Sequence, residues 1–377
     1  MIFKKWDDRK MKRTWREKSL LQFVLCVAAL LSPAAFHARP VWAGEIQERR
    51  ISYLQGGELW VCGLDGGSPE QVTRTAGKIE DYSFSVTGKF LAYSRILRWV
   101  DEPGIREKGE TVPKRAVCSI VIMDWGTRKA IREIPPGKDG WIYISKWLPG
   151  DALLYYGASG FDVTGHSLFE AGLGRIRSLE LPEAARLSEG DISRSGDLQI
   201  FTEESGLGKD YLQILYLQDR RAGRTSRLFA RRSVLDPRLS RSCKWIAFLE
   251  VEQAGEKYQD ILWVFERDTG GLRDLYRGPA HPKSGDRSEL DWSPDDRYLG
   301  MFFSSEALVV DLQKKTGPPA RIAGSDFCWV DDTRIAFRRD RDLYMVALPA
   351  GSPGLWKKGA SRPGLLGPDR LTAGAIR

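Results

Sequence analysis

Asp291-Trp292-Ser293-Pro294-Asp295-Asp296-Arg297-Tyr298-Leu299 is the stretch that decides the fold. An aromatic anchor is followed by a tight turn and then by a short apolar run. The unit returns at Phe84, as Phe84-Ser85-Val86-Thr87-Gly88-Lys89-Phe90-Leu91-Ala92-Tyr93. Looser copies begin at Trp147, Ile192, Leu239 and Trp329. The six anchors stand 37 to 63 residues apart. Periods of this size mark a repeat architecture.

Each repeat reads as four strands, A to D, counted outward from a central axis. In the first full repeat A covers residues 82–85, the turn 86–89, B 90–94, C 118–124 and D 129–134. The copy at Trp292 has the same order, with A at 290–293, B at 298–303, C at 307–312 and D at 320–323. C strands such as Ile261-Leu262-Trp263-Val264 and Leu343-Tyr344-Met345-Val346 are apolar on both faces. Strands sandwiched between neighbouring blades need that pattern. After residue 43 no long segment has helical periodicity. The expected fold is all-β, a β-propeller of four-stranded antiparallel blades. Seven blades are favoured over six, because residues 51–55, 58–65 and 71–74 supply strands B, C and D of a further blade. Its A strand is expected near residues 373–376, so that the two ends of the chain close the ring.

These motifs resemble the TolB-like β-propeller repeats. The matching residues are Leu59-Trp60-Val61-Cys62-Gly63-Leu64-Asp65-Gly66-Gly67, Gln71-Val72-Thr73, Phe84 to Lys89, Asp291-Trp292-Ser293-Pro294-Asp295 and Arg370-Leu371-Thr372. The resemblance covers residues 50–377 and implies the fold more than any activity. Related repeats occur in TolB itself, in the propellers of prolyl oligopeptidase-type enzymes and in stand-alone exported proteins. Only about seven residues separate Gly44 from the first strand, and no α/β-hydrolase domain follows the last. The expectation is therefore a stand-alone propeller without peptidase chemistry.

Residues 1–43 have the three parts of an export signal. A basic stretch runs to Lys18, and Leu20 to Leu31 is apolar. Small residues then appear near Val41-Trp42-Ala43. Cleavage after Ala43 is favoured, with Ala38 as a second option. Residues 44–377 then form one propeller domain. The apolar run is short for a spanning helix, and no later segment is apolar enough to cross a membrane. The net charge of +8 is concentrated in the leader, which carries nine Lys/Arg against three acids. What remains is no electrostatic footprint for nucleic acid.

Catalytic constellations are sparse. Gly165-His166-Ser167-Leu168-Phe169 lacks the closing glycine of a nucleophile elbow and its strand–turn–helix setting. His166 is therefore expected in a loop. No His/Cys/Asp/Glu set has zinc-ligand spacing. Asp295-Asp296 and Asp331-Asp332 fall at A–B turns and read as turn chemistry. Cys62, Cys118, Cys243 and Cys328 lie at unlike positions in different repeats, and no pairing is expected.

Loop length is the remaining signal. The B–C connections share one rim and are long. The first, residues 96–117, holds Arg98, Trp99, Arg106, Lys108, Lys114 and Arg115. Others carry Phe161 and His166, Lys209 and Tyr211, and Lys257 and Tyr258. Aromatics mixed with cations suit a protein interface. Residues 351–368, with Trp356, read as a flexible C–D loop on the opposite face. The expected function is a non-catalytic protein-binding scaffold, exported to the periplasm or cell envelope. It would have a protein partner, no nucleic acid and no cofactor. The alternative is a carbohydrate- or small-molecule-binding or enzymatic propeller with its site in the axial funnel.

Overall fold

The computed structural model describes residues 50–65, 67–101, 114–137, 140–159, 162–206, 211–254, 257–279, 289–314, 318–348, 351–358 and 360–366. The leader, Arg106, Lys108, Phe161, Lys209 and residues 373–376 lie outside them. The strands assemble as seven four-stranded antiparallel sheets, the blades of a propeller.

Blade 1 contains β1 (Arg50–Gln55), β2 (Glu58–Gly63) and β3 (Glu70–Gln71). Blade 2 follows with β4 (Ile79–Phe84), β5 (Phe90–Asp101), β6 (Lys114–Asp124) and β7 (Lys129–Ile134). Blade 3 holds β8 (Trp141–Leu148), β9 (Ala152–Ser159), β10 (Asp162–Glu170) and β11 (Arg175–Leu179). A helix, α1 (Leu181–Glu189), leads into blade 4, which is β12 (Asp191–Ile192), β13 (Leu198–Ser205), β14 (Leu212–Asp219) and β15 (Arg224–Arg231). Blade 5 is β16 (Leu235–Leu239), β17 (Trp245–Ala254), β18 (Lys257–Glu266) and β19 (Gly271–Pro279). In blade 6 come β20 (Glu289–Trp292), β21 (Tyr298–Phe302), β22 (Glu306–Asp311) and β23 (Ala320–Ala323). Blade 7 is β24 (Ser325–Trp329), β25 (Arg334–Arg339), β26 (Asp342–Ala347) and β27 (Gly354–Lys357). The last strand, β28 (Ser361–Leu366), returns to pair with β1 and completes blade 1.

Apolar clusters fill all seven blade interfaces. Strand β21 shows why its sequence lacks a polar face. Leu299 and Met301 pack toward blade 5, while Tyr298 and Phe302 pack toward blade 7. A strand buried on both sides gains from apolar residues at every position.

The repeated serine explains the anchor motif. Ser85, Ser193, Ser240 and Ser293 are buried at the start of the A–B turns. Each hydroxyl oxygen accepts the N–H five residues on, at 3.1, 3.0, 3.2 and 2.8 Å. Each carbonyl accepts the N–H three residues on, from Gly88, Gly196, Cys243 and Asp296. Those four residues have φ of 73°, 77°, 58° and 60°. The left-handed position is natural for glycine and tolerated by Asp. The copies at Ser193 and Ser240 have lost the Pro-Asp pair yet keep this geometry.

The tryptophan anchors tie blade to blade. Trp147 Nε1 donates to Ser83 O at 3.1 Å, Trp292 Nε1 to Arg238 O at 3.4 Å and Trp329 Nε1 to Asp291 O at 3.2 Å. In each case the acceptor stands one residue before the anchor of the preceding blade. The Asp296 carboxylate likewise accepts the N–H groups of Arg241 and Ser242 from blade 5, at 2.7 and 2.9 Å. This bears out turn chemistry for the Asp295-Asp296 pair.

Three sequence expectations need correction, and one short helix is added to the all-β reading. The closing strand is Ser361–Leu366 rather than residues 373–376, with Ile51 opposite Leu365 and Ser52 opposite Gly364. The described part of 351–368 is consequently no loop. Gly354–Lys357 is the D strand of blade 7, and Trp356 Nε1 donates to Leu64 O of blade 1 at 3.2 Å. A helix does occur after the leader, with Ala184 and Leu187 buried between blades 3 and 4. Nine residues are too few for its periodicity to stand out. Finally, the described parts of the B–C loops in blades 2, 3 and 5 continue strands B and C.

Candidate functional site

Strands alternate in direction, so the B–C hairpins and D–A connections share one face. Pairing in blade 2 runs past the blade body to Asp101 opposite Lys114, across an irregularity between Ile96 and Arg98. In blade 5 it reaches Ala254 opposite Lys257, and in blade 4 Ser205 opposite Leu212. In the blade 2 arm Leu97, Arg98 and Trp99 are exposed, while Arg115 on the partner strand reaches blade 3. Arg98 and Trp99 therefore sit on β5, Lys114 and Arg115 on β6, and Lys257 and Tyr258 on β18. Tyr211 immediately precedes β14, and its hydroxyl donates to Glu204 Oε1 at 2.7 Å. That bond pushes the Tyr211 pKa up, with burial acting in the same direction. His166 belongs to β10 and not to a loop.

The arms expose large apolar groups. Trp99 is 57% exposed, Leu97 43% and Tyr258 58%. Trp99 and Tyr258 belong to separate arms. The structure does gather other candidates. The Arg115 guanidinium carbon lies 4.8 Å from the Trp141 ring centre and 5.3 Å from that of Tyr143. Tyr143 stacks on Tyr156 at 5.2 Å, and Tyr156 meets the His166 ring at 5.8 Å. Tyr143, Tyr156 and His166 share one register row across blade 3, so their side chains project from one face.

The sequence reading missed a second feature, the charged groups on the innermost strands. Neighbouring A strands touch one another around the axis, as β4 does β8 and β16 does β20. Counting back from each anchor, the first and third positions hold Asp81, Lys146, Asp191, Asp236, Arg238, Glu289, Asp291 and Asp326. β28 adds Arg362. Period-2 alternation from the anchors was the available signal.

These charges interlock. Asp191 Oδ2 accepts the Leu239 N–H at 2.8 Å, and Asp236 Oδ2 accepts that of Leu290 at 2.5 Å. Each carboxylate thus binds the next blade. Arg238 pairs with Asp236 at 2.7 Å. Burial opposes its charge most strongly, yet Asp236, Asp191, Glu289 and Asp291 together push its pKa up. Asp81 faces Arg362 at 3.0 Å, and burial still pushes its pKa up. Among the described residues no group of three His, Cys, Asp or Glu side chains could hold a metal ion.

Lys146 is displaced toward neutral pH. Its Nζ donates to Gly190 O at 2.6 Å and Ser188 O at 3.3 Å, at the end of α1. Burial, with Arg238 adding to it, pulls its pKa down to about 8 against Asp191 and Asp236. The folded value lies below the unfolded 10.5. Between those two values the unfolded chain binds the proton that the folded chain has released, so this group's contribution to stability rises with pH. From about pH 7.5 to about pH 10 the stability of wild type relative to Lys146→Met is expected to rise by roughly 2 kcal/mol. Urea unfolding at the two pH values measures it, and an unchanged difference contradicts the assignment.

No family model matches the chain, and no curated protein matches it. Similar solved structures are TolB from Acinetobacter baumannii, an oligogalacturonate lyase from Vibrio parahaemolyticus and a prolyl endopeptidase. TolB is 14% identical with a TM-score of 0.43, over 84% of this chain and 66% of its own. The lyase is 10% identical with a TM-score of 0.45, over 82% and 85%. The endopeptidase is 12% identical with a TM-score of 0.44, over 85% and 51%. This chain thus spans just under two thirds of that TolB and about half of that endopeptidase, and the seven-bladed propeller rests on its own strand order.

Proposed function

We propose that this protein is an exported propeller that works by binding, without covalent chemistry, and presents its B–C face to a protein partner in the periplasm or cell envelope. One observation carries the reading. The β5–β6 hairpin leaves the blade with Leu97 and Trp99 exposed and Arg98 between them. Isolated exposed apolar residues are ordinary, but a Trp beside an Arg on one projecting arm matches the composition of interface centres. The basic, then apolar, then small-residue order of 1–43 supports export. The charged rows on the innermost strands favour a second reading, a small ligand held at the axis.

Because Leu97 and Trp99 are exposed on the arm, replacing both with serine should leave thermal stability unchanged within about 0.5 kcal/mol per site. Affinity for the partner should fall at least tenfold, as for the loss of a central aromatic anchor. Titration calorimetry against the isolated partner measures it. Wild-type affinity in the double variant removes this hairpin from the interface.

A further inference from the structure

Residues 220–232 hold six arginines and no acidic residue. They form the C–D turn and the outermost strand of blade 4, where β15 pairs with β14 on one side only. Leu228 and Phe229 of that strand pack against the core between blades 4 and 5. Arg220, Arg221, Arg224, Arg227 and Arg232 are exposed. The outer strands of blades 3, 5 and 6 hold arginines in ion pairs. Arg175 pairs with Glu170, Arg177 with Glu183 at 2.9 Å, Arg277 with Asp274 at 2.7 Å and Arg321 with Glu306 at 3.1 Å. Blade 4 differs. Arg221 pairs with Asp197 at 2.6 Å, Arg231 approaches Glu250 at 3.7 Å, and Arg220 donates to Gly196 O at 3.4 Å. Arg224, Arg227 and Arg232 have no ion pair or hydrogen bond among the described residues. The strip ends on the B–C face beside two exposed leucines. Arg231 stands opposite Gln213, so Arg232 comes next to the start of β14 at Leu212, which is 37% exposed. Leu235 opens β16 shortly after Arg232 and is 43% exposed.

We propose that this outer edge of blade 4 is a docking surface for an anionic lipid membrane. Like charges held along one strand repel one another, and a dense anionic surface relieves that repulsion. From Arg224 to Arg231 the strand covers about 23 Å at its usual rise per residue, more than one small anion could touch. An extended array of phosphate headgroups matches that span. The leucines decide between polyanions. Such side chains gain by entering the acyl boundary of a lipid surface and find nothing to enter on a nucleic acid or a charged polysaccharide. Residues 212–235 present no exposed aromatic ring on which a base or a sugar could stack. The surface lies on a different blade from the β5–β6 hairpin, and the inference stands whether or not a protein partner binds that hairpin.

The test uses residues 44–377, which contain the closed ring and keep the basic, apolar leader from binding lipid in place of the strip. Binding is measured by flotation with vesicles of equal parts phosphatidylglycerol and phosphatidylcholine, and with vesicles of phosphatidylcholine alone. Wild type should float with the first and not with the second, and salt should release it. Arg224→Gln, Arg227→Gln and Arg232→Gln together should weaken binding about a hundredfold, at about fivefold for each charge. All three positions are exposed, so circular dichroism should show an unchanged melt. Removing as many cations at other exposed positions, as Lys129→Gln, Arg132→Gln and Arg341→Gln, should keep binding within about threefold of wild type, which separates the strip from net charge. Leu212→Ser with Leu235→Ser should weaken binding about fivefold or more. The proposal is overturned by no binding to the anionic vesicles, by equal binding to both kinds of vesicle, or by equal loss in the two triple variants. Unaltered affinity in the arginine or the leucine variant overturns it as well. So does capture of heparin or a DNA duplex without capture of the anionic vesicles, which assigns the strip to a soluble polyanion.

Discussion

A chain ending at Ala360 is expected to lose cooperative folding. That end point removes β28, which lies innermost in blade 1 and pairs with β1 from Arg50–Leu366 to Leu54–Ser361. It also removes the clamp to blade 2. Arg362 holds Asp81 through its guanidinium, also donating to Glu80 O, and Tyr82 donates to the Arg362 carbonyl at 2.7 Å. Ile51 and Tyr53 are fully buried in the intact ring, against blade 7 and the residues around Ala360. Without β28 the inner edge of β1 is unpaired, a template for association with other chains. A loss on the order of 5 kcal/mol or more is expected, comparable to the whole stability of many domains. Circular dichroism melting and gel filtration should show a broad transition and oligomers. A sharp melt at the wild-type temperature would contradict ring closure by β28.

Trp329→Ala is expected to destabilise the propeller more than any substitution on its surface. The side chain is completely buried between blades 6 and 7, near the rings of Tyr298 and Phe302. Its removal leaves a cavity costing about 3–5 kcal/mol. It also leaves the Asp291 carbonyl without the indole donor that tied the two blades together. Trp329→Phe separates the two effects. It keeps most of the volume and should cost about 1–2 kcal/mol, chiefly the hydrogen bond and a residual void. Trp99→Ala is the surface comparison and should lie within about 0.5 kcal/mol of wild type. Urea midpoints rank the three. Equal effects for Trp329→Ala and Trp99→Ala would contradict the lacing of blades through their anchors.

The anchors were legible because one side chain does two jobs there. Trp147, Trp292 and Trp329 fill an interface and donate across it, so the same residue recurs at the same offset before the turn. The turns were legible at Phe84 and Trp292, and the shared buried Ser85, Ser193, Ser240 and Ser293 explain why the looser copies at Ile192 and Leu239 keep the same geometry. The closing strand was hidden by its own composition. Ser361-Arg362-Pro363-Gly364 reads as a loop, yet β28 has a partner on one side only, and an edge strand tolerates proline. The arms were misread for a related reason. Residues 97–99 are exposed, so the apolar pattern that marks a buried strand stops while the pairing continues. The axial charges were invisible as a set. Asp81 and Arg362 lie 281 positions apart in the chain, and only the ring brings them to 3.0 Å.

The candidate cluster was half visible. Arg115 and His166 were singled out from the sequence, but as members of separate loops. Trp141, Tyr143 and Tyr156 were not, because they look like ordinary strand residues until register places Tyr143, Tyr156 and His166 in one row.

The most direct test of the binding role is a paired affinity capture. Residues 44–377 and the same chain carrying Leu97→Ser and Trp99→Ser are immobilised and exposed to envelope extract. Bound proteins are then quantified by mass spectrometry. The account predicts a protein retained by the first at stoichiometric yield, depleted at least tenfold on the second, and able to rebind the first when purified. Identical capture by both chains, or none by either, would contradict a protein-binding role for the B–C face.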